Sequence, residues 1–136
     1  MNNSPVFIVD DDHDDREFLE QAWKELGYNN PLKFFDDGEQ MLNYLKGNST
    51  IPFLILCDVN LPKMDGFELK KQIEESDIKL KSVPFVFWSN FAAKAQIEKA
   101  YNLSANGFFI KETKFEDIKQ SLVDIYKYWQ KSKTPE

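Results

Sequence analysis

Cysteine, histidine and glycine are scarce in this chain of 136 residues, and each shortage removes a class of function. The one cysteine, Cys57, has no partner for an internal disulfide and rules out a multi-cysteine metal site; it reads as a small buried hydrophobe. The one histidine, His13, reads as solvated loop and gives little support for a histidine ligand or base. Glycine occurs 5 times, never as a GxGxxG or P-loop pattern, so nucleotide binding lacks support. Basic residues are outnumbered 23 to 17, and the net charge of −6 argues against a general hold on nucleic acid or on an anionic membrane. No apolar run approaches the roughly 20 residues of a membrane span, and Met1–Pro5 is too short and polar for a signal peptide. A cytoplasmic location is the expectation.

What is present suits one globular domain, expected to span residues 1–136 with its core at about 5–130. The chain is 42% hydrophobic and 29% charged, and its 12 phenylalanines make the expected core unusually aromatic. Short apolar runs alternate with helical periodicities. Val6–Val9 runs into Asp10, Asp11 and Asp12. Phe18, Leu19, Ala22, Trp23 and Leu26 then recur at helical spacing up to Gly27. A strand over Leu32–Phe35 is followed by a helix holding Met41, Leu42 and Leu45 and closing at Gly47. Phe53–Cys57 is an unbroken apolar run that delivers Asp58 to a loop with Asn60, Pro62 and Gly66. Phe67, Leu69 and Ile73 mark a third helix, followed by a polar stretch to Ser82. Val83–Trp88 ends in Ser89 and Asn90; Ala93, Ile97, Ala100 and Tyr101 mark a fourth helix. Phe108–Ile110 ends in Lys111, and Phe115, Ile118, Leu122, Ile125 and Trp129 form the clearest amphipathic stripe.

Five strands that read as continuous apolar runs, separated by helices, predict a parallel sheet covered on both faces. Right-handed crossovers make it an open, doubly wound α/β sheet whose ligand crevice lies beyond the carboxyl ends of the strands. The residues at those ends carry the chemistry: Asp10 and Asp11, Asp58, Ser89 and Lys111. Three carboxylates about 5 Å apart repel by about 3 kcal/mol per pair at an effective dielectric near 20. A divalent cation relieves this, and oxygen ligands that retain water suit Mg²⁺. Such an ion would neutralise charge on a phosphoryl group moving onto Asp58, with Lys111 and the Ser89 hydroxyl on its other oxygens. Asp12, Asp14 and Asp15 are explained as first-turn acids favoured by the helix dipole. An EF-hand reading of Asp10–Asp15 fails, because its sixth and twelfth positions are Asp15 and Gln21.

VDDD at Val9–Asp12, DVNLPKMDG at Asp58–Gly66, Ser89 closing the fourth strand and Lys111 closing the fifth together resemble a response-regulator receiver domain of two-component signalling, of the single-domain chemotaxis-regulator type. The resemblance covers Val6 to Trp129. It implies a flavodoxin-like sheet of strand order 2-1-3-4-5. It also implies Asp58 as phosphoacceptor, Asp11 as a direct Mg²⁺ ligand, Asp10 as a ligand through water, and the Asn60 backbone carbonyl as a further ligand. Ser89 and Phe108 would be the residues that move on phosphorylation. The implied donor is a sensor histidine kinase or histidine phosphotransfer protein, and the implied output is contact with a protein partner or relay of phosphate.

Three positions depart from the family pattern. Glu112 replaces the proline that usually follows the lysine, so a trans Lys111–Glu112 bond is expected. Asn90 and Phe91 put bulk after Ser89, which would narrow access and lengthen the life of a phosphorylated form. Phe108 lacks the hydroxyl of the usual tyrosine. Two other functions compete. Aspartate-nucleophile phosphohydrolases place a second acid two residues after the nucleophile, where this chain has Asn60. A degenerate receiver acting as a phosphorylation-independent binding module would not need the full acid set and Lys111.

Overall fold

The computed structural model describes residues 3–76 and 79–133. Five strands alternate with five α-helices: β1 (Val6–Val9), α1 (His13–Leu26), β2 (Leu32–Phe35), α2 (Gly38–Lys46), β3 (Leu54–Asp58), α3 (Gly66–Glu75), β4 (Phe85–Ser89), α4 (Lys94–Asn102), β5 (Gly107–Ile110) and α5 (Phe115–Lys131). The strands form one parallel sheet in the order β2-β1-β3-β4-β5. The expected doubly wound α/β fold is therefore what forms, and the reversal of strand order at β1 and β3 opens the crevice where those two strands end.

Alternation along each strand sorts the apolar runs onto two faces. Phe7, Val9, Ile55, Cys57, Phe85 and Phe87 pack with Met41 of α2, with Phe67, Leu69 and Ile73 of α3, and with Ala100 of α4. Val6, Ile8, Leu54, Leu56, Val86 and Trp88 pack with Leu19, Ala22 and Trp23 of α1 and with Ile118, Leu122, Ile125 and Tyr126 of α5. The phenylalanines sit mainly in the first cluster as edge-on and tilted pairs, Phe85 and Phe87 lying 5.1 Å apart between ring centroids.

Helix ends follow local chemistry. Asp12 caps α1 by accepting from the N–H groups of Asp14 and Asp15, and Gly27 ends it in the left-handed conformation with φ 71°. Asp37 and Asp65 cap α2 and α3 in the same way. His13 is the first residue of α1, not loop, because the Asp12 cap starts the helix five residues before Phe18, the first residue of the apolar periodicity. β4 begins at Phe85 rather than Val83, since the Val83 N–H closes a 3-10 turn onto the Leu80 carbonyl and Pro84 has no N–H for the ladder. That turn, Lys79–Ser82, occupies the end of the stretch read as polar; residues 77 and 78 of that stretch lie outside the described residues.

The loop after β3 is held by a close backbone approach. The Gly66 N–H donates to the Val59 carbonyl at 2.8 Å, and a Cβ on Gly66 would lie 2.4 Å from the Asp58 carbonyl oxygen and 3.1 Å from the Phe87 ring. Gly66→Ala is therefore expected to cost about 1–3 kcal/mol of unfolding free energy, through displacement of the end of β3. Urea unfolding measures it, and a loss below about 0.5 kcal/mol would show that the loop yields freely.

Candidate functional site

Strand register sets the site. Val9 pairs with Cys57, so Asp10 follows level with Asp58 on the neighbouring strand; Asp58 itself pairs with Trp88, and Ser89 pairs with Ile110 ahead of Lys111. Asp10, Asp58 and Lys111 are all buried, at 1%, 6% and 8% exposure. The Lys111 ammonium donates to Asp58 Oδ2 at 2.7 Å and to Asp15 Oδ2 at 2.6 Å, and lies 3.2 Å from Asp10 Oδ2. Asp58 Oδ1 accepts the Asn60 N–H at 3.0 Å, and Asp10 Oδ1 accepts the Asp12 N–H at 2.9 Å. Asp10 Oδ2 is buried and meets the ammonium as an ion pair, without a hydrogen bond. From outside, Arg16 Nε donates to the Asp10 carbonyl at 2.9 Å while its guanidinium pairs with Asp36, which pins the end of β1 to the loop after β2.

The electrostatics follow from this crowding. Burial raises the Asp10 carboxyl to about 7, against the lowering effects of the Asp12 N–H and the Lys111 charge, and the Asp58 and Asp15 charges push it further up. Burial also raises Asp58, although Lys111 and the Asn60 N–H oppose it. Burial alone would lower Lys111, but its hydrogen bonds to Asp15 and Asp58 outweigh that and hold it above its ordinary value. Cys57, fully buried beside Asp58, has its thiol raised well beyond reach of ionisation at neutral pH.

A divalent cation fits this donor set. One oxygen each from Asp10, Asp15 and Asp58 lies within 4.8 Å of the others around the Lys111 ammonium, and Asp10 Oδ2, paired with that ammonium by charge at 3.2 Å, makes no hydrogen bond and so has acceptor capacity left for such an ion.

The other expected site residues stand as follows. Asp11 is exposed on the loop between β1 and α1, outside the three-acid group, yet close enough for its charge to raise Asp58. Asn60 is exposed and reaches the site through its backbone. Ser89 is fully buried, and its hydroxyl accepts the Phe91 N–H at 3.2 Å instead of bonding to Asp58 or Lys111. Phe108 is half-buried against the first cluster, 6.2 Å from the Phe87 ring. All peptide bonds among the described residues are trans, including Lys111–Glu112. Asn90 and Phe91 are exposed, Phe91 at 64%.

Two sequence expectations need correction. Asp15 is not simply a first-turn acid: it takes half of the ammonium's close contacts across 96 residues of chain. Phe18, counted in the apolar pattern of α1, is 46% exposed beside Asp15 and Glu112, because Leu19, Ala22 and Trp23 already fill the contact with the sheet.

Comparisons with known proteins agree with this geometry. A family model described as the response regulator receiver domain matches residues 6–123. Chemotaxis protein CheY-3 of Vibrio cholerae is 32% identical, over 91% of this chain and 92% of that protein. The phosphorylated cyanobacterial phytochrome response regulator RcpA superposes with a TM-score of 0.89 at 26% identity, covering 98% of this chain and 99% of that one. The Mn²⁺-bound form of response regulator Rcp1 superposes with a TM-score of 0.84 at 24% identity, covering 98% and 99%.

Proposed function

This chain belongs to the response regulator receiver domain family of two-component signalling, and on that premise we propose that Asp58 accepts a phosphoryl group from a partner's phosphohistidine. The observation that carries the reading is the setting of Asp58: a buried strand-end carboxylate held between the Asn60 N–H and the Lys111 ammonium, beside a buried Asp10 oxygen that makes no hydrogen bond. An Asp58 oxygen forms the bond to phosphorus as the phosphorus–nitrogen bond of the donor breaks, and the electron pair leaves on the imidazole nitrogen, which takes up a proton. Lys111 holds the transferred oxygens by charge.

Asp10, Asp11 and Asp58, with the Asn60 carbonyl, are the residues proposed to hold Mg²⁺; when bound it would neutralise charge on the phosphoryl oxygens. The Mn²⁺ in Rcp1 supports a divalent ion in this fold. One receiver domain with its core at about residues 5–130 carries this function. The new charge biases a two-state equilibrium in which Ser89 and Phe108 move, and the signal passes to a protein partner or onward as phosphate. Asn60, in place of a second acid, supports a switch rather than a turnover hydrolase. No helix among the described residues is long and apolar enough to cross a membrane; the cytoplasmic setting is proposed because phosphotransfer from a kinase partner requires it.

Mass measurement after incubation with acetyl phosphate and Mg²⁺ tests this reading. One added phosphoryl group supports it, and an unmodified chain with acetyl phosphate and with phosphorylated kinase alike favours a binding module that works without phosphate. The exposed Asn90 and Phe91 at the rim lead to a further expectation: Asn90→Ala shortens the half-life of the phosphorylated form about threefold by admitting water. An unchanged decay rate would remove Asn90 as the cause of any slow hydrolysis.

A further inference from the structure

Asp15 makes the shortest contact of the Lys111 ammonium, 2.6 Å against 2.7 Å to Asp58 and 3.2 Å to Asp10. The acids around that ammonium fall into two groups. Asp10 and Asp58 are an inner pair on adjacent strand ends, nearly sealed from solvent. Asp15 is an outer acid on the first turn of α1, partly exposed at the rim with Phe18 and Glu112. Lysine is a point charge on a flexible stem with three donors, so it can keep one acid while releasing another. A cation entering between Asp10 and Asp58 meets the ammonium already in contact with both, and the two positive charges repel. Without Asp15, the acids paired with the ammonium among the described residues are Asp10 and Asp58, both of which the ion needs.

We propose that Asp15 is a positioning residue that draws the Lys111 ammonium toward the rim and so lets a divalent cation take Asp10 and Asp58. The inference rests on the Mg²⁺ reading above. It differs from two simpler roles, a direct ligand or a bare negative charge, because each of those would favour the ion whether or not a lysine stood at position 111. Only the positioning role makes the effect of Asp15 depend on Lys111.

Four proteins decide it: wild type, Asp15→Asn, Lys111→Met and the double variant. Each is titrated with Mg²⁺ and followed by the rise in thermal midpoint, which reports binding to the folded state and shows that each variant folds. Asp15→Asn is expected to weaken Mg²⁺ about tenfold in the wild-type background and less than about twofold in the Lys111→Met background. Asp15→Glu, which keeps a carboxylate at the rim, should restore affinity to within about threefold of wild type. Equal weakening in both backgrounds, or no weakening in either, overturns the proposal. Should Asp15→Asn show no folded baseline, Asp15→Ser takes its place in the same cycle. A wild type whose midpoint ignores Mg²⁺ removes the metal reading of the site and this inference with it, whereas a wild type that binds Mg²⁺ with no dependence on Asp15 removes the inference alone.

Discussion

Asp58→Asn is expected to abolish phosphoryl uptake: with acetyl phosphate and Mg²⁺, the wild type gains one phosphoryl group and the variant stays at its unmodified mass. The substitution is nearly isosteric: the amide oxygen can still accept the Asn60 N–H, while the amide nitrogen replaces the oxygen that accepted from Lys111, whose ammonium keeps Asp15 as its acceptor. What disappears is the anionic nucleophile. No neighbouring acid can take over. Asp10 is 1% exposed, with one oxygen committed to the Asp12 N–H and its carboxyl raised to about 7 by burial, so a large part of it is protonated at neutral pH. Asp15 is engaged by Lys111 at the rim, and Asp11 is exposed outside the three-acid group. A phosphoryl group found on the variant would place the acceptor on another residue and overturn the assignment of Asp58.

The residues of this site were legible from sequence to different depths, for physical reasons. Asp10, Asp58, Ser89 and Lys111 could be assembled on paper because a strand buried on both faces leaves a continuous apolar run whose last residue is unambiguous. A parallel doubly wound sheet then brings every such end to one rim. The level pairing of Asp10 with Asp58 depends on register, which apolar runs do not encode. Asp15 stayed hidden because an acid in a first helical turn already has a sufficient local explanation in the dipole. Its contact with Lys111 comes from the packing of α1 beside α5 on one face of the sheet, across 96 residues of sequence. Ser89 was placed correctly at a strand end, but its alternation puts it on the side of Phe85 and Phe87, and its hydroxyl turns to the Phe91 N–H. The phosphoryl role proposed for Ser89 would require its hydroxyl to leave the Phe91 N–H.

Asp10→Asn should separate what stabilises the fold from what serves the site. Asp10 carries a folded value near 7 against an unfolded value near 3.8, so the folded state favours its neutral form. For a carboxyl raised in this way, the contribution to stability is fully present below about 4 and is lost as pH rises through about 7. In Mg²⁺-free solution the wild type should thus weaken between about pH 4 and pH 7 through this group, while Asp10→Asn escapes the loss. At pH 8 the variant is expected to be more stable by about 2–4 kcal/mol, and near pH 4 by almost nothing. Urea unfolding with a chelator at the two pH values measures both figures. The Asn60 and Asp12 amides keep their acceptors, so the gain comes from the missing charge rather than from new contacts. The same substitution removes a charged acid of the three-acid group, one whose oxygen makes no hydrogen bond, and Mg²⁺-dependent phosphorylation of Asp58 should slow by at least about tenfold. A variant that is no more stable at pH 8 than at pH 4, relative to wild type, would show that Lys111 already compensates Asp10 in full, and that the crowded acids do not by themselves create a demand for a metal ion.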